Sequence, residues 1–367
     1  MEYFKYKMEP FIDDDHLIIG DYKIINKIGE GAFGAVYKAI DTETKEYVAL
    51  KQIPVYIESI ALRKILREIL LLKGLKHDNL ISLKDAFIYN QDKKTYVIFI
   101  MKLMKYNLKT LLDHKRNEIT TDHIKLYMFE IFVGLAYLHN NKIVHRDLKP
   151  DNVLVNIENE ITIADFGWAR KIADTDKNIT KIISNIHYRA PEIALGTDVQ
   201  GSPVDIWSVG CIFYELLEKK TLFKQKTNGD LLRSIFQLFG RPTFIDLEFV
   251  KERTDIIQFV DSLPPIPKRE PASYLTNPLI DANCRDLFNS CLEFNPKNRI
   301  TALNALQHPY FKELFSVEEV KTALIDHSSL IDFSFENNEN LQNIDLLKTI
   351  SKELNSIKKK EKKSYWD

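Results

Sequence analysis

Gly29-Glu30-Gly31-Ala32-Phe33-Gly34-Ala35-Val36 sets three glycines at G-x-G-x-x-G spacing. Two phosphate chemistries use that spacing. A dinucleotide fingerprint opens a helix after the third glycine and carries an acidic residue about 20 positions on. Here 35–39 continues as strand, and positions 53–55 read Ile-Pro-Val. The other chemistry is a glycine hairpin over nucleotide phosphates, where missing side chains let backbone N–H groups approach the oxygens. It calls for a lysine on a nearby strand, and Val48-Ala49-Leu50-Lys51 supplies one. That ammonium needs a carboxylate to fix it. Glu68 follows 17 residues later on an amphipathic helix. Taken singly, Lys51 reads as a snorkelling surface lysine and Glu68 as a solvated helix charge.

The block His145-Arg146-Asp147-Leu148-Lys149-Pro150-Asp151-Asn152 changes that balance, with Asp165-Phe166-Gly167 thirteen residues beyond Asn152 and Ala190-Pro191-Glu192 after it. With these motifs in this order the chain resembles the eukaryotic protein kinases over residues 22–312. The resemblance implies an α+β, bilobal fold, with a small β-rich N-lobe holding one main helix and a larger helical C-lobe. It implies ATP and Mg2+ as cofactors and Ser/Thr of proteins as acceptors. Asn152 and Asp165 become the magnesium ligands, oxygen donors suited to a hard cation. Asp147 orients the attacking hydroxyl and accepts its proton. Lys149 neutralises the moving phosphoryl group. Lys51 and Glu68 grip the other phosphates, under the hairpin Ile28 to Val36. Val36 and Ala49 cover the adenine from above and Leu154 from below. Met101 is the gatekeeper, and the backbone from Lys102 to Met104 meets the adenine edge. Plain core packing explains the apolar members equally well. Glu192 with Arg299, and Asp205, are expected to be structural.

His187-Tyr188-Arg189-Ala190-Pro191-Glu192 is similar to the group of cyclin-dependent and mitogen-activated kinases. Membership implies that Arg189 shapes a pocket for proline after the phosphoacceptor. Thr180, eight residues before Tyr188, holds the loop-threonine position, and a phosphate there has three candidate receivers in Arg67, Arg146 and Arg170. Thr180 is also one of several loop threonines, Thr175 among them. Ile182 stands where mitogen-activated kinases carry tyrosine, which favours the cyclin-dependent style. The 17-residue Lys51–Glu68 spacing and the long tail point to the mitogen-activated style. Partners on this reading are Ser/Thr-Pro substrates, an upstream activating kinase and, in the cyclin-dependent case, a cyclin-like subunit. A kinase-fold scaffold without chemistry is the alternative from another class. It is disfavoured because every ionic position is filled. Asn185 replaces the threonine that in this group bonds the catalytic aspartate, Trp168 replaces a leucine and His187 a tryptophan.

These groups must be carried by ordinary elements. Alternating or apolar runs predict strands at 22–28, 35–40, 47–53 and 95–101. Leu62, Ile65, Ile69 and Leu72 mark a helix over 60–73, with Gly74 as its stop. Ile124, Met128, Ile131, Leu135 and Leu138 mark a second helix behind a Thr-Thr-Asp start. Further helices are expected at 205–219, 229–240, 283–293 and 301–312. The four prolines between 263 and 271 predict a surface loop. A last helix carries Leu347, Ile350, Leu354 and Ile357 on one face. The domain reading is an extension 1–21, a kinase domain 22–312 (N-lobe 22–102, hinge 102–106, C-lobe 107–312) and a tail 313–367.

The whole chain has 367 residues, 51 Lys plus Arg against 52 Asp plus Glu, and 45% apolar residues. That is a globular composition with no basic field for nucleic acid. Cys211, Cys284 and Cys291 form no C-x-x-C pair, so neither a disulfide framework nor a zinc site is expected. No apolar stretch approaches the ~18 residues of a membrane span, and no signal peptide or lipidation motif is read. The expectation is no membrane partner and a cytoplasmic or nuclear location, with the basic run 358–363 read as a solvated terminus or an import signal.

Overall fold

The computed structural model describes residues 17–31, 34–172, 185–197, 201–278, 280–327, 331–336, 338 and 340–361. In chain order, β1 (Ile18–Ile19), β2 (Tyr22–Gly31), β3 (Gly34–Asp41) and β4 (Tyr47–Pro54) precede α1 (Ser59–Gly74), β5 (Leu83–Gln91) and β6 (Lys94–Lys102). Next come β7 (Tyr106–Asn107), α2 (Leu108–His114), α3 (Thr121–Asn140), β8 (Ile143–Val144), β9 (Val153–Val155), β10 (Ile161–Ile163) and β11 (Arg170–Lys171). The rest is helical: α4 (Pro191–Ala194), α5 (Pro203–Glu218), α6 (Asn228–Phe239), α7 (Thr254–Asp261), α8 (Ala282–Cys291), α9 (Ala302–Leu306), α10 (Val317–Ala323) and α11 (Asn343–Glu361). Two compact units result. One comprises Met1–Ile69, Ser82–Leu103 and Asn340–Asp367, the other Leu70–Ile81 and Met104–Glu339.

The first unit is an antiparallel sheet in the order β1-β2-β3-β4-β6-β5. Strand β3 shows why it forms: Ala35, Tyr37 and Ala39 alternate into the core. In β6, by contrast, Tyr96 to Met101 is buried throughout, as befits a strand paired on both sides. The four expected strands lie inside β2, β3, β4 and β6. β5 is additional, and its sequence signal is weak for a physical reason. The β5–β6 hairpin turns on Asp92 and Lys93, both at positive φ (49° and 63°), without the glycine that usually marks such a turn. Helix α11 packs on β5 through buried Leu346, Ile350, Leu354 and Ile357. Leu346 therefore takes the place expected of Leu347, which is half-buried. Asn343 Nδ2 also donates to the Ile57 carbonyl (3.0 Å).

The second unit is built round α3 and α5. Thr120 caps α3 as the Thr-Thr-Asp start predicts, its hydroxyl accepting from the His123 amide, an arrangement worth about 1 kcal/mol. All five residues of the expected helical stripe are buried. The expected helix 301–312 divides into α9 and a 3-10 turn at Pro309–Phe311, because Pro309 has no N–H to continue an α-helix. Residues after α10 are tied back to α3. Asn140 and Asn141 donate to the carbonyls of Leu324 (3.0 Å) and Ile325 (2.9 Å), and Tyr137 shares a 2.6 Å bond with His327 Nδ1. Among the described residues no helix is long and apolar enough to cross a membrane.

Glu192 and Arg299 form a bidentate pair (2.7 and 3.1 Å) with both side chains fully buried. Arg299 also donates to the carbonyls of Pro203, Glu293 and Phe294. Removing one partner strands a charge in a dry interior. Arg299→Met should cost about 3–5 kcal/mol of unfolding free energy in urea titration, and Glu192→Leu/Arg299→Met distinctly less than the sum of its single changes.

Candidate active site

Sheet register decides what the first unit presents. Gly29 pairs with Val36, Val36 with Lys51, and Lys51 with Phe99, in one row across four strands. Two positions along β4 on the same face, Ala49 pairs with Met101, and both are buried. Lys51 Nζ donates to Glu68 Oε1 at 2.7 Å, with 15% and 6% of the side chains exposed. Neither residue is the surface charge that it resembles when read singly. Ala35 falls on the other face and fills the core with Tyr37. Ile28 and Glu30 are exposed, Glu30 paired with Lys27. Lys102 ends β6, and Met104 opens the longer segment of the second unit. Ala32 and Phe33 lie outside the described residues.

The three glycines are not equivalent. Gly34 has φ +149°, and a Cβ there would sit 2.0 Å from the Gln52 carbonyl oxygen. Packing alone demands a glycine at that position. Among the described residues, a Cβ on Gly29 would meet only Val36 Cβ at 3.8 Å, and one on Gly31 would meet nothing within 4 Å. No described side chain or backbone crowds those two positions, which fits close approach by phosphate oxygens.

In the second unit the loop after β8 is held from beneath. Asp205, near the start of α5, is fully buried and accepts from the amides of His145 and Arg146 (both 2.8 Å) and from His139 Nε2 (2.9 Å). Burial pushes its pKa up, but His139, His145 and the Arg146 amide outweigh that and hold it below the usual carboxylate range. His139 had no sequence signal beyond its position at the end of a helix.

Asp147 follows Arg146, whose φ is +70°. Its Oδ2 accepts from Lys149 Nζ (2.8 Å) and Asn152 Nδ2 (3.3 Å), and Asn152 Nδ2 also bonds the Asp147 carbonyl (2.7 Å). Asn152 thus spends its donors on Asp147. Among the described residues no donor reaches its Oδ1, so that oxygen is free for a cation. Burial alone would lower the Lys149 pKa, but Asp147, Asp165 and Asp151 raise it above the ordinary value. Asp165 takes a left-handed backbone (φ 67°, ψ 75°) at the head of the 3-10 turn Phe166–Trp168, while buried Phe166 lies 5.5 Å from the His145 ring. Asp165 and Asn152 together offer oxygen donors of the kind that magnesium takes alongside water.

Leu154 is half-buried in β9, opposite Thr162 and Asn107. Arg189 Nη1 donates to Asn228 Oδ1 (2.6 Å). Burial lowers the Arg189 pKa, and the charge of Asp147 opposes that. Arg67, in the first unit, is buried at 1% exposure. In the second, Arg146 is buried and Arg170 lies 3.6 Å from Glu336. Asn228 and Glu336 were not singled out from the sequence, since their partners are 39 and 166 residues away. Thr175, Thr180 and Ile182 lie outside the described residues.

The family model "Protein kinase domain" matches residues 22–311. The serine/threonine-protein kinase ppk23 of Schizosaccharomyces pombe is 36% identical, covering 80% of this chain and 73% of its own. Mitogen-activated protein kinase 6 of Arabidopsis thaliana is 33% identical, covering 85% of this chain and 77% of its own.

The glycine geometry separates packing from ligand approach. Gly34→Ala should lower the unfolding free energy by about 1–3 kcal/mol through backbone strain and clash. Gly31→Ala should leave it within about 0.5 kcal/mol while raising the KM for ATP. Chemical denaturation and nucleotide titration of both variants check the pair.

Proposed function

This chain belongs to the protein kinase family and is a serine/threonine protein kinase, and we propose that it moves the ATP γ-phosphate onto Ser/Thr-Pro sites through the residues described above. The observation that carries this reading is the carboxylate of Asp147, gripped by Lys149 and Asn152.

Asp147 orients the acceptor hydroxyl and takes its proton as the oxygen bonds to the γ-phosphorus. The bond from that phosphorus to the bridging oxygen breaks, and its electron pair leaves with ADP. Lys149 compensates charge on the transferred group. Asn152 and Asp165 would hold magnesium, which when bound would supply charge neutralisation for the transfer. Lys51, fixed by Glu68, binds the non-transferred phosphates, and the open backbone of Gly29 and Gly31 donates to their oxygens. Val36, Ala49 and Leu154 supply apolar surface for the base, Met101 the gatekeeper side chain, and the backbone from Lys102 to Met104 the polar edge.

Arg189 is the residue we assign to proline selection. Phosphorylation of Thr180 by an upstream kinase is the proposed activating event, with Arg67, Arg146 and Arg170 as phosphate receivers. The cyclin-dependent style is preferred because Ile182 removes the second phosphorylation site. A mitogen-activated style is the second reading, favoured by the Arabidopsis relative. A cytoplasmic or nuclear location is part of the same proposal.

The purified chain should phosphorylate a Ser-Pro peptide in preference to its Ser-Ala counterpart. Asp147→Asn should lose about 10²–10⁴-fold in kcat, the usual worth of a positioned base. Equal use of both peptides would remove proline selection, and an Asp147→Asn enzyme at full rate would remove the assigned base. Adding a cyclin-like subunit to the same assay separates the two styles. Thr180→Ala should no longer respond to treatment with an activating kinase, whereas a response of wild-type size would exclude Thr180 as the switch.

A further inference from the structure

Asp147 offers four lone-pair sites when ionised. Oδ2 spends both of its sites on Lys149 Nζ and Asn152 Nδ2. Oδ1 accepts one bond, from the main-chain N–H of Asn185 at 3.2 Å. Among the described residues nothing else reaches it, so a single acceptor site remains, and it is on Oδ1.

That N–H is itself aimed by local structure. Asn185 is the N-cap of the 3-10 turn Ile186–Tyr188, its side-chain Oδ1 accepting from the His187 amide (3.1 Å). The Tyr188 amide returns to the Asn185 carbonyl (3.1 Å). The far end of the turn is fastened to α5: Ser208 Oγ donates to the Tyr188 carbonyl (2.8 Å) and the Tyr188 hydroxyl to Glu215 Oε2 (2.7 Å). The near end has the Asn185 cap. Its side chain is turned into the turn and makes no bond to Asp147.

We propose that Asn185 is a positioning residue for the reaction: its side chain caps the turn, the cap aims its own N–H at Asp147 Oδ1, and Oδ1 is thereby the oxygen left to receive the hydrogen bond of the substrate hydroxyl. This rests on the reading of Asp147 as the group that orients the acceptor. The asparagine acts here through its main chain, and its side chain is needed only as a cap. Serine, an equally good N-cap, should therefore replace it, and alanine should not.

The test compares wild type, Asn185→Ser and Asn185→Ala as full chains. In nucleotide-free protein, exchange of the residue 185 amide should be protected in wild type and Asn185→Ser, and about tenfold less protected in Asn185→Ala. In turnover, Asn185→Ala should lose about tenfold in kcat with KM for peptide and ATP within about twofold, and Asn185→Ser should stay within about threefold of wild type. Calorimetric titration with ADP and magnesium should count one site per chain in all three. Asn185→Ala at wild-type rate and protection, Asn185→Ser as impaired as Asn185→Ala, or a site count falling in step with kcat would each overturn the proposal. Its failure is separable from failure of the assigned base, because Asp147→Asn reports the latter alone.

Discussion

One carboxylate, sealed inside the second unit, holds the arrangement on which the chemistry depends. Asp205 takes the two consecutive amides of His145 and Arg146 on its two oxygens, and His139 adds a third donor. Burying it without partners would cost several kcal/mol. With three donors it remains charged. Its grip lets Arg146 keep a left-handed backbone, a conformation costing about 1–3 kcal/mol in a non-glycine residue. That backbone sets the direction in which Asp147 leaves the loop. Because Asp205 stands on α5, the most deeply buried helix, the loop inherits the rigidity of the core.

From there the polar groups are allotted rather than merely gathered. Lys149 and Asn152 saturate one oxygen of Asp147, and the Asn185 amide takes half of the other. By donating to Asp147, Asn152 leaves its own Oδ1 without a donor among the described residues, an acceptor that a cation could use. The first unit reaches its version of order by a different route. A regular antiparallel register sets Gly29, Val36 and Lys51 in one row, and the Glu68 carboxylate on α1 anchors the lysine.

Residues beyond the family match add contacts of their own. In the first unit α11 covers β5 with four buried apolar side chains. In the second, Leu324 to His327 is tied to the end of α3, and Glu336 approaches Arg170 on β11. Arg170 was expected to serve a phosphate, yet here a carboxylate from the tail already meets it. A short 3-10 turn at Ile186–Tyr188, not a long-range strand or helix, brings the third donor to Asp147.

The local periodicities told most of the architecture. The stripe of α3, its Thr120 cap, the alternation of β3 and the apolar run of β6 are properties of a few adjacent residues, so a one-dimensional reading recovers them. β5 escaped because its turn uses Asp92 and Lys93 instead of a glycine. In the tail helix Ile350, Leu354 and Ile357 are buried as read, and only the first position moved, to Leu346 from its apolar neighbour Leu347. The ordered motifs likewise named Lys51, Glu68, Asp147, Asn152 and Asp165. What they could not supply is allocation. His139 on Asp205, Glu336 at Arg170, Asn228 on Arg189 and the choice of backbone over side chain at Asn185 depend on which donor reaches which oxygen. Residue types and their order follow from the chain alone. Bond partners tens to hundreds of residues apart are decided only when packing fixes positions to within a hydrogen bond's length.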